Sequence, residues 1–413
     1  MDWIAWVSVV AALLATVALV LGLLNRRALA RGHAGAGQEA GRGSGARAAQ
    51  GSDAAHEAGD GEPAEAAELD AGHALVAFVA NPTKPGVPEL RDRAVQACAA
   101  RYLPEPMWFD TTEEDPGVGQ AREAVKKGAQ VVVAVGGDGT VRAVAEGLTG
   151  TGTAMGIIPQ GTGNLLARNL DLPIDDMDTL LRIALTGESR TIDVGWLTVI
   201  RDESQVRDDI AEADPAAASP EKKPSDGAGS QEPPRDHIFL VMAGLGFDAD
   251  VMGDTNEDLK AKVGWLAYFM SAMRHLGGSR LRLDIRHDLG PWRSVRARSL
   301  VFGNVGKLPG GITLLPDAAM DDGWMDIGVI DARAGLAGWA QLLGEVTLQK
   351  FGVKTDNKNK VGHIEHSRAR TVRVRSRDPQ QVQVDGDTIG TVLEVEARLE
   401  PQALVLRVDA PKD

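Results

Sequence analysis

The spacing of apolar positions divides this 413-residue chain into segments of different kind. Trp3 to Leu24 runs for 22 residues without a charge, and a helix of that length crosses a hydrocarbon core of about 30 Å. Arg26, Arg27 and Arg31 follow it while only Asp2 precedes it. That asymmetry predicts an uncleaved transmembrane anchor over residues 1–31, single-pass in the cell membrane, with everything after Arg26 cytoplasmic. Gly32 to Gly72 holds one residue both apolar and larger than alanine, Leu69, and buries too little surface to offset its ordering entropy. It reads as a disordered tether. Ala74–Ala80 and Val131–Val135 are short continuous apolar runs, each followed by helical spacing. Such runs predict strands covered on both faces, and hence an α/β domain with a parallel sheet over residues 73–189.

Beyond Thr191 the pattern becomes strand-like, at Thr191–Ile200, His237–Ala243, Leu281–Ile285, Arg298–Gly303, Met325–Ile330, Thr371–Val374, Gln381–Val384 and Val392–Leu399. Helical spacing returns at Leu259–Leu276 and Ala332–Phe351. The expectation is a mainly β, sandwich-like second domain over residues 190–409. A disordered loop insertion at 201–236, rich in Asp, Glu, Ala, Pro and Ser, interrupts it.

Charge sharpens this division. The chain carries 58 acidic and 44 basic side chains, a formal −14, which argues against a surface that grips nucleic acid. The tether supplies eight of the acids against two bases, and the insertion ten against five, so the folded remainder is close to neutral. Lys350 to Arg377 gathers nine Lys or Arg against Asp356 and Glu365, either a solvated hairpin face or a surface turned toward an anionic leaflet. Cys98 stands alone, at helical spacing with Leu90, Val95 and Leu103, and reads as a buried small hydrophobe rather than a nucleophile.

Candidate chemistry lies at the strand ends. After Val131–Val135 come Gly136, Gly137, Asp138, Gly139 and Thr140, then the helical pattern Val141, Val144, Ala145, Leu148. A buried strand that opens a helix through glycines presents bare backbone N–H groups and a helix N-terminus, an arrangement that binds phosphate. An ordinary glycine-rich turn would explain one or two glycines but not the carboxylate among them, which can bind Mg²⁺ or accept a proton. A second loop, Gln160-Gly161-Thr162-Gly163-Asn164, follows the strand end Gly156–Pro159, and a third strand end runs Ala80-Asn81-Pro82-Thr83-Lys84. Neither the Walker pattern nor the protein-kinase set occurs.

The segments VVVAVGGDGTV, IIPQGTGNLLARNL and NPTKPG together resemble the catalytic domain of diacylglycerol and sphingoid lipid kinases, related in fold to NAD kinases and 6-phosphofructokinases. The resemblance continues through Ala243–Ala249, Phe302–Asn304, Pro316–Ala318, Asp321–Gly323 and Val384–Asp387, over roughly residues 73–409. It implies that Gly136, Gly137, Gly139 and Thr140 cradle the ATP phosphates, with Asp138 the carboxylate near Mg²⁺ and the γ-phosphate. It further implies Gly161, Thr162 and Asn164 as the second nucleotide loop, Asn81 as a contact at the first strand end, and Asp322 as a ligand of a structural Mg²⁺. Asp387 stands where many members carry the Glu that serves as general base, with Asp138 a rival for that role. Three positions depart from the family pattern. Arg142-Ala143 replaces Asn-Glu after the first loop, and Leu165 replaces Asp after the second; Arg142 could supply a phosphate cation.

The resulting expectation is an ATP- and Mg²⁺-dependent lipid kinase that phosphorylates the hydroxyl of diacylglycerol or a related lipid. Its partners would be the membrane lipid substrate and the bilayer itself, not nucleic acid, with a homodimer left open. Two alternatives stand beside it: an NAD kinase-like phosphotransferase on a soluble substrate, and a catalytically inactive membrane-tethered nucleotide- or lipid-binding protein.

Overall fold

The computed structural model describes residues 74–202, 236–246, 280–308, 312–332 and 362–410. The expected anchor and tether, the interior of the insertion, and the helical stretches at 259–276 and 333–351 lie outside these residues. Among the described residues no helix is long and apolar enough to cross a membrane.

The first part alternates as its apolar runs predict: β1 (Val76–Ala80), α1 (Val87–Ala99), β2 (Met107–Asp110), α2 (Val118–Lys126), β3 (Val131–Gly136), α3 (Asp138–Leu148), β4 (Ala154–Pro159), α4 (Leu165–Asn169) and α5 (Met177–Thr186). These four strands are parallel, in the order β2-β1-β3-β4. Both faces of β3 are covered, which is why its sequence is apolar without alternation. Val132 and Ala134 pack with Ala121 and Ala124 of α2 and Val144 and Leu148 of α3. Val131, Val133 and Val135 pack on the other face with Leu90, Ala94 and Cys98 of α1 and Leu181 and Leu185 of α5.

The second part is antiparallel. It comprises β5 (Glu188–Asp202), β6 (Asp236–Phe239), β7 (Met242–Leu245), β8 (Leu281–His287), β9 (Arg293–Ala297), β10 (Ser299–Gly303), β11 (Lys307–Leu308), β12 (Ile312–Thr313), β13 (Met325–Ala332), β14 (Gly362–Ala369), β15 (Thr371–Val384) and β16 (Asp387–Val408). Its own core centres on Phe239, Leu245, Leu300, Phe302, Ile327 and Val374. The long strand β16 joins the two parts: Val405 and Leu406 run parallel to Ala154 and Met155 of β4, while the rest pairs antiparallel with β5 and β15. Among the described residues one continuous sheet of fourteen strands results, with β11–β12 a separate pair.

Some elements differ from the sequence pattern. The runs Thr371–Val374 and Gln381–Val384 belong to one strand, β15, whose register against β16 shifts between Arg375 and Gln380. Pro379 lies in that shift, where a missing N–H costs no ladder bond. Strands β2, β9 and β14 match none of the predicted runs. β2 has only four residues, and β9 and β14 are largely polar, held by pairing to neighbours rather than by apolar burial.

Candidate active site

The parallel strands end level with one another. Ala80 lies opposite Val135 and Gly136 opposite Pro159, and two hydrogen bonds extend the alignment into the loops: Asn81 N–H donates to the Val135 carbonyl at 2.9 Å, and Gln160 N–H to Gly136 at 2.7 Å. The turns after β1, β3 and β4 therefore leave the carboxyl edge side by side. The strand order reverses between β1 and β3, and ligands of open parallel sheets bind at such a point.

Close backbone approach explains the glycines. A Cβ on Gly136 would lie 2.5 Å from Thr140 Cβ, and a Cβ on Gly161 would lie 2.9 Å from the Gly137 Cα. The two loops thus meet backbone to backbone. Asp138 fastens them: its carboxylate accepts from the N–H of Asn164 at 2.9 Å and of Leu165 at 2.6 Å, capping the turn that starts α4. Asn164 adopts φ +48° and closes its own loop, accepting from Gly161 N–H at 3.0 Å and donating to the Gly161 carbonyl at 2.8 Å. At the start of α3 the N–H groups of Asp138, Gly139 and Thr140 have no partner within the helix and face the loop junction. Burial raises the Asp138 carboxyl above its ordinary value, the two N–H donors oppose that, and the nearby Asp385 and Asp387 reinforce it.

The opposite side of the site is the β15–β16 hairpin. Asp385 and Gly386 form its two-residue turn with φ of +47° and +91°, the double positive φ that Asp-Gly accommodates. Asp385 is buried, and its carboxylate accepts three backbone N–H groups, from Leu240, Val241 and Met242, at 2.8–2.9 Å. Those contacts pin the hairpin to the bend between β6 and β7, although burial still pushes the Asp385 carboxyl up. One residue past the turn, Asp387 leans toward the first loop: a Cβ on Gly139 would lie 3.8 Å from Asp387 Oδ2. Arg142, on the first turns of α3, donates to that same oxygen and to the Val384 carbonyl, each at 2.8 Å.

This geometry is accompanied by two sequence-family matches in the same order along the chain. The description "Diacylglycerol kinase catalytic domain" matches residues 76–197, and "YegS C-terminal NAD kinase beta sandwich-like domain" matches residues 241–408. The chain belongs to the diacylglycerol kinase family. A relative from Cronobacter sakazakii named "Probable lipid kinase YegS-like" is 27% identical over 222 residues, 52% of this chain and 62% of that one. The diacylglycerol kinase of Bacillus subtilis is 24% identical over 270 residues, 65% of this chain and 74% of its own. The chain spans 59% and 62% of the length of two of its curated relatives. A crystal structure of a diacylglycerol kinase from Bacillus anthracis shares the fold, with a TM-score of 0.57 at 20% identity over 81% of this chain and 97% of that one.

Within this diacylglycerol kinase fold the residues singled out from sequence are distributed unevenly. Gly136, Gly137, Asp138, Gly139, Thr140, Gly161, Asn164, Asn81 and Asp387 gather at the carboxyl edge. Asn81 uses its side-chain oxygen to accept from Thr83 N–H and Oγ1 in a local turn, and Thr162 is exposed on the second loop. Asp322 belongs elsewhere, on the turn before β13. Its Oδ2 lies 3.3 Å from an Arg368 nitrogen, and Arg368 also reaches Asp326 at 3.0 Å and the Asp317 carbonyl. Arg368 offsets only one of these two charges, and the buried Oδ2 of Asp326 accepts no hydrogen bond among the described residues, so carboxylate oxygen remains here for the divalent ion expected at Asp322. Among the described residues no group of three or more His, Cys, Asp or Glu is placed to hold a metal.

The described part of the basic run is similarly engaged. Arg373 and Arg375 both reach Glu394, Arg375 also stacks on Trp292, and Arg370 lies over Trp324. Sequence reasoning missed two residues of the site. Asp385 was legible in principle, because Asp-Gly between alternating apolar positions signals a tight hairpin. Arg142 read as a phosphate cation, whereas the fold turns it to Asp387.

Proposed function

We propose that this diacylglycerol kinase family member transfers the γ-phosphate of ATP to the hydroxyl of diacylglycerol or a closely related membrane lipid, giving phosphatidic acid or its analogue. One observation carries the reading: a carboxylate, Asp387, stands over a phosphate loop, Gly139, with one oxygen held and the other open. Oδ2 takes the Arg142 hydrogen bond, while Oδ1 accepts none among the described residues.

The residues fit the ligands this reaction needs. At the loop junction Gly161 has no room for a side chain, and the start of α3 offers N–H groups without a partner in the helix, which suits the triphosphate. Mg²⁺ is ordinarily held by one or two carboxylates together with substrate phosphates and water rather than by a protein cage; Asp138, whose oxygens each keep a lone pair beyond the N–H they accept, would hold it and leave Asp387 Oδ1 to the acceptor hydroxyl. When bound, the ion neutralises charge on the phosphate oxygens.

Transfer is then chiefly a matter of position. The lipid hydroxyl oxygen forms the new bond to the γ-phosphorus, the bond to the β–γ bridging oxygen breaks, ADP leaves, and Asp387 takes the hydroxyl proton. Asp387 suits the base role better than Asp138. Both Asp138 oxygens already accept backbone N–H groups, whereas the Asp387 side chain is 57% exposed. Asp138 instead sets the spacing of the two loops.

The charge-free run at Trp3–Leu24 supports a membrane-anchored, cytoplasmic enzyme, since a substrate confined to the bilayer is met more often by a kinase held at the same surface. The deciding experiment incubates the full chain with labelled ATP, Mg²⁺ and a total lipid extract. A labelled lipid that co-migrates with phosphatidic acid is the expected product. Labelled NADP from added NAD, with no labelled lipid, would replace the proposal with the NAD kinase reading.

A further inference from the structure

Arg142 reaches across the site from α3 to the hairpin. It lies four residues after Asp138 on the same face of α3, but where Asp138 binds the second loop, Arg142 reaches the β15–β16 hairpin. Its guanidinium binds two groups there at once: one nitrogen donates to the Val384 carbonyl at 2.8 Å, just before the turn, and another to Asp387 Oδ2 at 2.8 Å, just after it. A fork that holds both a backbone carbonyl and a carboxylate fixes the direction of the carboxylate as well as its position; an ammonium, a point charge, fixes only distance. Arg142 is only 20% exposed, so the contact is sheltered on the helix side, and it leaves Asp387 Oδ1 without a hydrogen bond among the described residues.

We propose that Arg142 is a positioning residue of the transfer reaction, holding Asp387 Oδ2 so that Oδ1 faces the acceptor hydroxyl beside the phosphate loop. This role rests on the lipid-kinase reading above and adds to it a function for Arg142. It also accounts for the hairpin's attachment to the nucleotide side. Asp385 ties the turn to β6 and β7, and Arg142 ties it to α3.

The test measures steady-state phosphorylation of the lipid identified with the wild type, using full-length R142A, R142K and D387N together with the double variants R142A/D387N and R142K/D387N. R142A should lower kcat about 10- to 100-fold while KM for ATP stays within about twofold, the cost of a misplaced catalytic group. R142K should recover only part of that loss. In the D387N background neither change should reduce kcat further, because the residue acts through Asp387. Melting curves confirm that each variant is folded, and R142K serves if R142A does not fold. A rise in KM for ATP at unchanged kcat would overturn the proposal in favour of a phosphate cation, and so would an undiminished loss in the D387N background. Wild-type protein that phosphorylates no lipid sinks the function proposed above, and this role with it. Active wild type with unimpaired R142A and R142K sinks this role alone.

Discussion

On the parallel side of the site, Asp138 reaches its partner Leu165 across 27 residues of sequence; on the antiparallel side, Asp385 reaches Leu240 across 145, and Asp387 reaches Arg142 across 245. The three carboxylates also sit in different surroundings. Asp138 and Asp385 are held by backbone N–H groups with their carboxyls raised by burial, whereas Asp387 is the exposed member and pairs with a cation. The difference separates two tasks. Carboxylates that build the site are dry and held by backbone donors, and the one proposed as the base keeps an open oxygen.

The largest effect should come from Asp385→Ala, which strands three buried N–H groups and frees the hairpin. A loss of roughly 3–5 kcal/mol in denaturant unfolding is expected. A loss under about 1 kcal/mol would remove Asp385 from the building class. Asp387→Asn should do the reverse, lowering lipid phosphorylation by ~10²–10⁴-fold while the melting temperature hardly moves. A variant retaining a tenth of wild-type turnover would return the base role to Asp138.

Asp138→Ala should fall between the two. Leaving the Asn164 and Leu165 N–H groups without an acceptor should cost about 1–3 kcal/mol and should weaken ATP binding as the loops part, readable by calorimetry. Intact ATP affinity would show that the loops hold their spacing without it.

The smallest effect concerns the core beneath this side. Burial pushes the Cys98 thiol from 9.0 up to about 11. Between those values the native chain keeps a proton that the unfolded chain has released, so stability should fall as pH rises above 9. Iodoacetamide should label Cys98 at pH 8.5 only at the rate of unfolding; rapid labelling of the folded protein would contradict a dry α1 interface.

Much of the parallel side was readable from sequence because its signals are local. A strand covered on both faces must be apolar at every position, as Val131–Val135 is, and backbone approach at a loop demands glycine, as at Gly136 and Gly161. The polar strands β9 and β14 escaped, since pairing with a neighbour rather than burial holds them, and pairing leaves no periodic trace in one chain. The partners of Arg142 and Asp322 were hidden for a related reason. Each carries a charge whose partner is chosen by which distant strand happens to lie opposite: the hairpin for Arg142, and β14 with its Arg368 for Asp322.

What the amino-acid sequence alone determined, then, was the alternating α/β architecture, the two glycine loops and the resemblance to lipid kinases, all carried by residues within a few turns of chain of each other. Only the tertiary structure decided that Asp138 staples the loops, that Asp385 anchors the hairpin and that Arg142 holds Asp387. The physical reason is that a side chain's polarity is set by its own chemistry, whereas the donor or acceptor that satisfies it is set by packing, through contacts that chain order does not encode locally.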